Sequence, residues 1–383
     1  MNCNDIFIYG AGTLSPWGLG MAESARSASS GKLCFEQRNE RAVGALPKSA
    51  EEMVGQLRQS SSAFEELDRT ALLAIVASRE ALKQSGWGGD LPVGVNIGSS
   101  RGATALFEES YGSYLTEGRV PPLTSPLTTL GNISSCVAQD LSGSKVAADI
   151  VFSHSITCST ALHAIGNAIA WIKSGMSKRF LAGAAEAPLT PFTFAQMDAL
   201  RIYSPYEATE MPCRPCATQI SGNTFVLGEG AAIFAIGNGE ERGKPLCKIK
   251  GLGFNFEETP SATGMTSTGK AFQRAMAQAL DDVTPDLVIM HAAGTKLGDE
   301  AELHAVREVC GDVPCTTTKW MIGHSFGASG ALGLAYALFL LTDLPPEAPF
   351  AQRFRRATNL PNRILINAAG FGGNVACVVI ERA

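Results

Sequence analysis

Short runs rich in β-branched and apolar residues recur along this chain and end in turns of small residues. Ile6–Tyr9 ends in Gly10-Ala11-Gly12, Val93–Ile97 in Gly98-Ser99-Ser100-Arg101-Gly102, and Arg179–Ala182 in Gly183-Ala184-Ala185-Glu186. Further strands are expected at Lys145–Ile156, after Leu227-Gly228-Glu229-Gly230, at Leu287–His291, at Arg363–Asn367 and at Val375–Glu381. Helical patterns separate them. Asp68–Ser85 carries Leu72, Ile75 and Val76 on one face with Leu82 continuing it, and Glu300–Val309 and Gly327–Leu341 follow later. Strands that alternate with helices describe an α/β chain with buried sheets. The most polar part, residues 24–62, reads as a surface excursion. A break near Gly237–Lys244 (GNGEERGK) divides the chain into parts of similar style. A duplicated α/β architecture is therefore expected, with halves 1–238 and 239–383, although no clear internal sequence repeat is visible.

Bulk properties narrow the function. A chain of 383 residues with 45% hydrophobic and 17% charged residues can bury a sizeable core. The net charge of −5, without a long Lys/Arg cluster, argues against a nucleic-acid partner. Ten cysteines scatter without the spacing of a secreted domain, which reads as reduced thiols in a cytoplasm. Met1 to Asp5 is polar and strand-like Ile6-Phe7-Ile8-Tyr9 follows at once, so no secretory signal is read there. The apolar stretch Ala331–Leu341 is too short to span a bilayer and is expected to be a buried helix.

One cysteine stands out. In Thr157-Cys158-Ser159-Thr160, the thiol sits between the Lys145–Ile156 strand and a helix whose apolar face is Leu162, Ile165, Ile169 and Ile172. A helix start stabilises negative charge and so favours thiolate over thiol, which suits attack on a carbonyl. A buried structural cysteine is the alternative.

The remaining chemistry lies in the second half. His291-Ala292-Ala293-Gly294-Thr295-Lys296-Leu297-Gly298-Asp299-Glu300-Ala301-Glu302 is one cluster, and Lys319-Trp320-Met321-Ile322-Gly323-His324-Ser325-Phe326-Gly327 is a second. Asn367-Ala368-Ala369-Gly370-Phe371-Gly372-Gly373-Asn374 is a third. None matches a P-loop or dinucleotide fingerprint in full. Each is weak alone; together with Cys158 they point to one site.

In that order the motifs resemble those of the β-ketoacyl synthase family of the thiolase superfamily, over nearly the whole chain. Tyr9-Gly10-Ala11-Gly12-Thr13-Leu14-Ser15-Pro16-Trp17-Gly18 is similar to the family's first strand and loop, and Cys158 to Gly166 to its nucleophile elbow. Gly183-Ala184-Ala185-Glu186, Cys213-Arg214-Pro215 with Phe225 to Gly230, Lys319, Gly323-His324 and Gly370-Phe371-Gly372-Gly373 match its later signatures. The resemblance implies a thiolase-like fold: two similar halves, buried mixed β-sheets and helices in layers (αβαβα). It also implies decarboxylative Claisen condensation, in fatty acid or type II polyketide (possible polyene) synthesis. An acyl group moves from an acyl carrier protein to Cys158, and malonyl-carrier protein then loses CO2 and attacks the thioester. By resemblance the backbone N–H groups of Cys158 and Phe371 form the oxyanion hole, and Phe371 also gates the acyl pocket. His324 donates to the enolate oxygen, Lys319 and Glu302 form a supporting ion pair, and Thr295 contacts pantetheine. No metal and no resident cofactor are implied, because phosphopantetheine arrives on the carrier protein. The implied partners are that carrier protein and a second ketosynthase-like chain, in a homodimer or heterodimer, with no nucleic acid and no membrane. Lys178, Arg179 and Arg201 are candidate docking charges for the acidic carrier.

The chain also departs from the family. Ala293 stands where the family's first catalytic histidine precedes Gly-Thr. His291 lies two residues earlier; on a strand such residues are roughly 7 Å apart, so replacing the missing ring needs a local backbone shift. Leu297 stands at the second pantetheine threonine, unless the loop is shortened and that threonine deleted. Asn374 directly follows Gly373 where Thr-Asn is usual, and Cys216 replaces an aromatic. Two readings follow: a divergent ketosynthase using Cys158, His324 and His291, or a partner subunit akin to chain-length factors or a priming subunit, with impaired condensation. A zinc or redox site at Cys213-Arg214-Pro215-Cys216 is a third class, resting on a lone CxxC.

Overall fold

The computed structural model describes residues 5–89, 91–143, 146–241, 243–258, 266–350 and 353–383. Three sequence readings touch positions outside these: the polar start at 1–4, Lys145 at the head of the strand before Cys158, and Arg242 in the break between halves.

Among the described residues ten strands form one continuous path. They are β1 (Ile6–Ser15), β2 (Val93–Gly98), β3 (Ala148–Phe152), β4 (Arg179–Glu186), β5 (Gly230–Asn238), β6 (Cys247–Phe256), β7 (Leu287–Ile289), β8 (Cys315–Thr316), β9 (Arg363–Gly370) and β10 (Asn374–Arg382). Their spatial order is β8-β7-β9-β10-β6-β1-β5-β4-β2-β3, with the short strand Gly18–Leu19 hanging off β1. From the centre outward the first half runs β1-β5-β4-β2-β3 and the second β6-β10-β9-β7-β8. The pattern of directions is the same in both. The inner pairings are antiparallel and the outer ones parallel. The halves meet where β1 pairs with β6, Ile6 against Ile249 and Ile8 against Cys247.

Side chains sort by the two-residue period of a strand. In β1, Ile6 and Ile8 face the central core while Phe7 and Tyr9 face an outer one; in β10, Ala376, Val378 and Ile380 face the centre while Val375, Cys377 and Val379 face the other outer core. The central core holds two helices, α2 (Thr160–Lys173) and α5 (Ser329–Leu340), so the layers run αβαβα. α5 is buried at every position, as Ala331–Leu341 led one to expect. Outside, α1 (Arg69–Ser85) covers the first half and α3 (Lys270–Leu280) with α4 (Lys296–Cys310) covers the second. Asp68 caps α1 by accepting from Thr70 N–H, and Gly86 ends it in the left-handed region. The outer helices cross their sheets at matched glycines. A Cβ at Gly12 would meet the Ala77 carbonyl at 2.0 Å, and one at Gly253 the Ala275 carbonyl at 1.8 Å. Only glycine permits that approach.

Residues 24–62 are less superficial than their polarity suggested. Helix Lys48–Gln59 buries Ala50, Val54 and Leu57, and Cys34 N–H donates to Met321 O in the second half. The strand before Cys158 is shorter than expected and lies at the sheet's edge, with alternate half-buried and exposed positions.

Candidate active site

The carboxyl ends of β2, β3, β4, β7, β8 and β9 supply the site. After β3 the chain turns through Thr157, a β-branched residue at φ +47°, and starts α2 three residues later. Such a conformation costs about 1–3 kcal/mol and persists because its neighbours fix it. Thr157 Oγ1 donates to Phe371 O at 3.1 Å, and Thr160 Oγ1 accepts from Ile156 N–H at 2.8 Å. Gly370 lies so close to the turn that a Cβ there would stand 1.9 Å from Thr157 Oγ1 and 3.0 Å from Cys158 N. The Gly370-Phe371 turn is thereby fastened to the nucleophile elbow. Phe371 itself is 40% exposed.

Cys158 is buried in a small apolar cluster with Met197, Phe225, Leu227, Ala293 and Phe326. Burial, and the nearby Glu186 carboxylate, push its thiol up to about 12, against the pull of Lys319 and Arg101. That corrects the expectation from the helix start alone: desolvation outweighs it, and the resting group is a thiol.

His324 follows β8. It is 2% exposed, and its backbone N–H donates to Val226 O at 2.7 Å. The ring lies against Phe225 and Phe326, with centroids 5.3 and 5.8 Å away. His291 is the larger surprise. β7 ends at Ile289, so His291 is off the strand and the strand-based separation does not apply. Its ring meets that of His324 edge-to-face at 5.1 Å between centroids. Burial pushes both imidazoles well below their ordinary value, with Lys319 adding to the shift in each. Two neutral rings therefore stand side by side, while Ala293 fills the apolar cluster at Cys158.

The expected Lys319–Glu302 ion pair does not form among the described residues. Glu302 is spent on amides: Oε1 accepts from His291 N–H at 2.7 Å and from Asn367 Nδ2 at 3.1 Å, and Oε2 from Ala292 N–H at 2.7 Å. Burial raises the Glu302 carboxyl and lowers Lys319 to about 8. Asp299, one turn earlier on α4, accepts from Gly294 and Cys216 N–H at 3.2 and 2.9 Å, and burial lifts it to about 7. Asp299 was assigned no role from the sequence, although its spacing of three from Glu302 puts both on one helix face. Glu186 does the same on the other side. It accepts from Ser100, Arg101 and Gly327 N–H at 2.8, 3.2 and 2.8 Å and from the Ser99 hydroxyl. Ser329, also unassigned, lies with Oγ 2.7 Å from His324 Nδ1.

Thr295 is half-buried at the start of α4, and Leu297 is 86% exposed. Of the docking candidates, Arg179 is buried at the far end of β4 from Glu186, bonded to the Leu91 and Pro92 carbonyls, and Lys178 precedes it there. Arg201 is exposed, and Asn223 bridges its carbonyl to Lys296 N–H on the rim of the site. Cys213 and Cys216 are buried free thiols, and among the described residues no group of three metal-ligating side chains is gathered.

Residues 4–241 match the family described as "Beta-ketoacyl synthase, N-terminal domain" and residues 246–350 "Beta-ketoacyl synthase, C-terminal domain". The chain is 30% identical over 416 residues to a polyketide beta-ketoacyl synthase 1 of Streptomyces cyaneus, covering 98% of this chain and 97% of that one. It is 29% identical over 354 residues to 3-oxoacyl-[acyl-carrier-protein] synthase 2 of Staphylococcus aureus, covering 82% of each. Among solved structures, the ishigamide ketosynthase/chain length factor superposes with a TM-score of 0.85 at 20% identity, over 99% of each chain.

Proposed function

The chain belongs to the β-ketoacyl synthase family, and we propose that it performs decarboxylative condensation through Cys158, His324 and His291. The observation that carries this reading is the pair of neutral imidazoles, 5.1 Å apart, beside the apolar pocket of Cys158. A second imidazole is thus present although Ala293 replaces the usual one.

In the first half-reaction Cys158 Sγ attacks the acyl thioester of a carrier protein. Its proton goes to the departing pantetheine thiol, and the acyl group stays as a thioester on Cys158. A thiol held protonated at rest resists alkylation and oxidation and loses its proton only as the leaving thiolate appears. The backbone N–H groups of Cys158 and Phe371 stabilise the tetrahedral oxyanion; the bond from Thr157 to Phe371 O keeps those two segments together. In the second half-reaction a malonyl thioester loses CO2. His324 and His291 donate to the enolate oxygen, the carbanion attacks the Cys158 thioester, and the departing Cys158 thiolate takes a proton from water to return to the thiol. A neutral ring can donate one N–H without adding a buried charge. Thr295, at the start of α4, and the Arg201–Lys296 rim receive the pantetheine arm and the carrier.

A second subunit completes the assembly. β3 is an edge strand with Val151 38% exposed, and helix Thr104–Glu117 exposes Phe107, Tyr111, Tyr114 and Leu115. An exposed apolar helix face and an unpaired edge strand are surfaces that another chain of this fold covers. No helix among the described residues is long and apolar enough to cross a membrane.

The test is a condensation assay on the purified chain with acyl- and malonyl-carrier protein, following intact mass. Mass gain on Cys158 with β-ketoacyl product is expected. Product formed only when another ketosynthase is added, with no acylation of Cys158, overturns the reading in favour of a chain-length-factor-like subunit.

A further inference from the structure

His324 has one polar side-chain partner among the described residues, the hydroxyl of Ser329 at the first position of α5. Both residues are 2% exposed. Ser329 Oγ accepts from Ser325 N–H at 3.0 Å and lies 2.7 Å from His324 Nδ1. The Ser325 hydroxyl is farther away, at 3.3 Å. A hydroxyl has one proton and two lone pairs. One lone pair is taken by the Ser325 amide. The proton then has two destinations, Nδ1 or the Ser325 hydroxyl. The Nδ1 contact is the shorter, at the commonest length of a bond given by O–H, and the contact to the Ser325 hydroxyl lies beyond the usual O–H range. Directed to the nearer of the two, the proton goes to Nδ1, which is then an acceptor. A neutral imidazole that accepts at Nδ1 carries its N–H on Nε2.

We propose that Ser329 is a positioning residue that holds His324 in the Nε2–H tautomer, so that the ring gives a hydrogen bond to the developing enolate oxygen instead of presenting a lone pair to it. This rests on the condensation reading above, and it adds the device that sets the ring's proton. The fold supplies a rigid mount. Ser329 begins a helix buried throughout, and Gly330 beside it lies against Leu162 of α2, so the hydroxyl cannot drift from the ring.

The experiment is nitrogen NMR on the full-length, resting protein labelled at histidine ring nitrogens, with His324→Gln identifying the signal. The wild type is expected to show a protonated Nε2 and a bare Nδ1 at His324. In Ser329→Ala the tautomers mix, and malonyl-carrier decarboxylation falls by about tenfold or more while acylation of Cys158 is kept. Ser329→Thr restores both, and Ser325→Ala leaves both unchanged, since the bond from the Ser325 backbone survives. A protonated Nδ1 in the wild type overturns the proposal, and that spectrum decides the matter even where a variant fails to fold. An unchanged tautomer in Ser329→Ala also overturns it. If the tautomer follows Ser329 as expected but wild type decarboxylates nothing, the tautomer assignment stands and the condensation reading fails.

Discussion

The two halves share strand order, strand direction and a glycine crossing under their outer helix, yet they carry opposite chemistry. The loop after β3 delivers a thiol to the start of α2. The loop after β8, at the matching place, delivers Lys319 and His324 ahead of α5. The loops after β2 and β7 match as well, and each is pinned by a buried carboxylate that spends its oxygens on amides. Glu186 holds residues 99–101; Glu302 and Asp299 hold 291, 292 and 294. The difference teaches that the scaffold fixes where loop ends meet, and on the proposed reading the loops decide which half binds the acyl group and which activates malonate.

If that division is right, the two half-reactions are separable. Cys158→Ala is expected to abolish acylation and condensation, a loss on the order of 10⁴-fold or more, while malonyl-carrier decarboxylation by the second half continues. Loss of both activities in a folded variant breaks the division. His324→Ala is the mirror test. It should cut decarboxylation by about 10²–10⁴-fold and leave Cys158 open to acylation, read as intact mass after exposure to acyl-carrier protein.

These tests rest on a site of which only part was legible in the sequence. Cys158 was readable because the signal is local: a β-branched run gives way to a three-four apolar spacing, and the thiol is at the joint. The α/β alternation and the burial of α5 were readable for the same reason. What failed depended on three-dimensional partners. Leu287–His291 looked like one strand, but β7 stops at Ile289, and beyond Met290 the chain bends to put the His291 and Ala292 amides on Glu302. Glu302 looked like a partner for Lys319 because no sequence shows that its oxygens are already taken. The helix start favoured a thiolate at Cys158 because desolvation by Met197, Phe225 and Phe326 comes from distant segments.

The lone lysine sharpens the contrast between halves, since the first half has no cation so buried without an ion pair at the equivalent loop among the described residues. Lys319 is lowered from its ordinary 10.5 to about 8, with burial the main cause. A folded value below the unfolded one means that stability from this group grows as pH rises from about 8 to 10.5 and is lost as pH falls through 8. Lys319→Met should therefore raise stability at pH 7, by about 1–4 kcal/mol, and flatten the gain between pH 8 and 10. It should also lower condensation, because the charge beside Cys158 is gone. Urea unfolding at pH 7 and pH 10 checks the sign. A less stable variant at pH 7 would mean that Lys319 is favourably paired.

The smallest expected effect falls on the residue that most distinguishes this chain. His291→Ala removes the second ring but leaves the loop intact, because Glu302 holds residues 291 and 292 by their backbone N–H groups and not by side chains. Stability should change little, and decarboxylation should fall by about tenfold, less than for His324, because one donor to the enolate survives. The Ala293→His exchange tests the same point from the other side. Ala293 is 7% exposed in the Cys158 cluster, so a ring forced in there overpacks the core at about 1–3 kcal/mol. If His291 already does the work, Ala293→His brings no gain in rate. If Ala293→His raises decarboxylation well above wild type while His291→Ala leaves it unchanged, then His291 only fills space beside His324, and the second half works with one imidazole where the resemblance implied two.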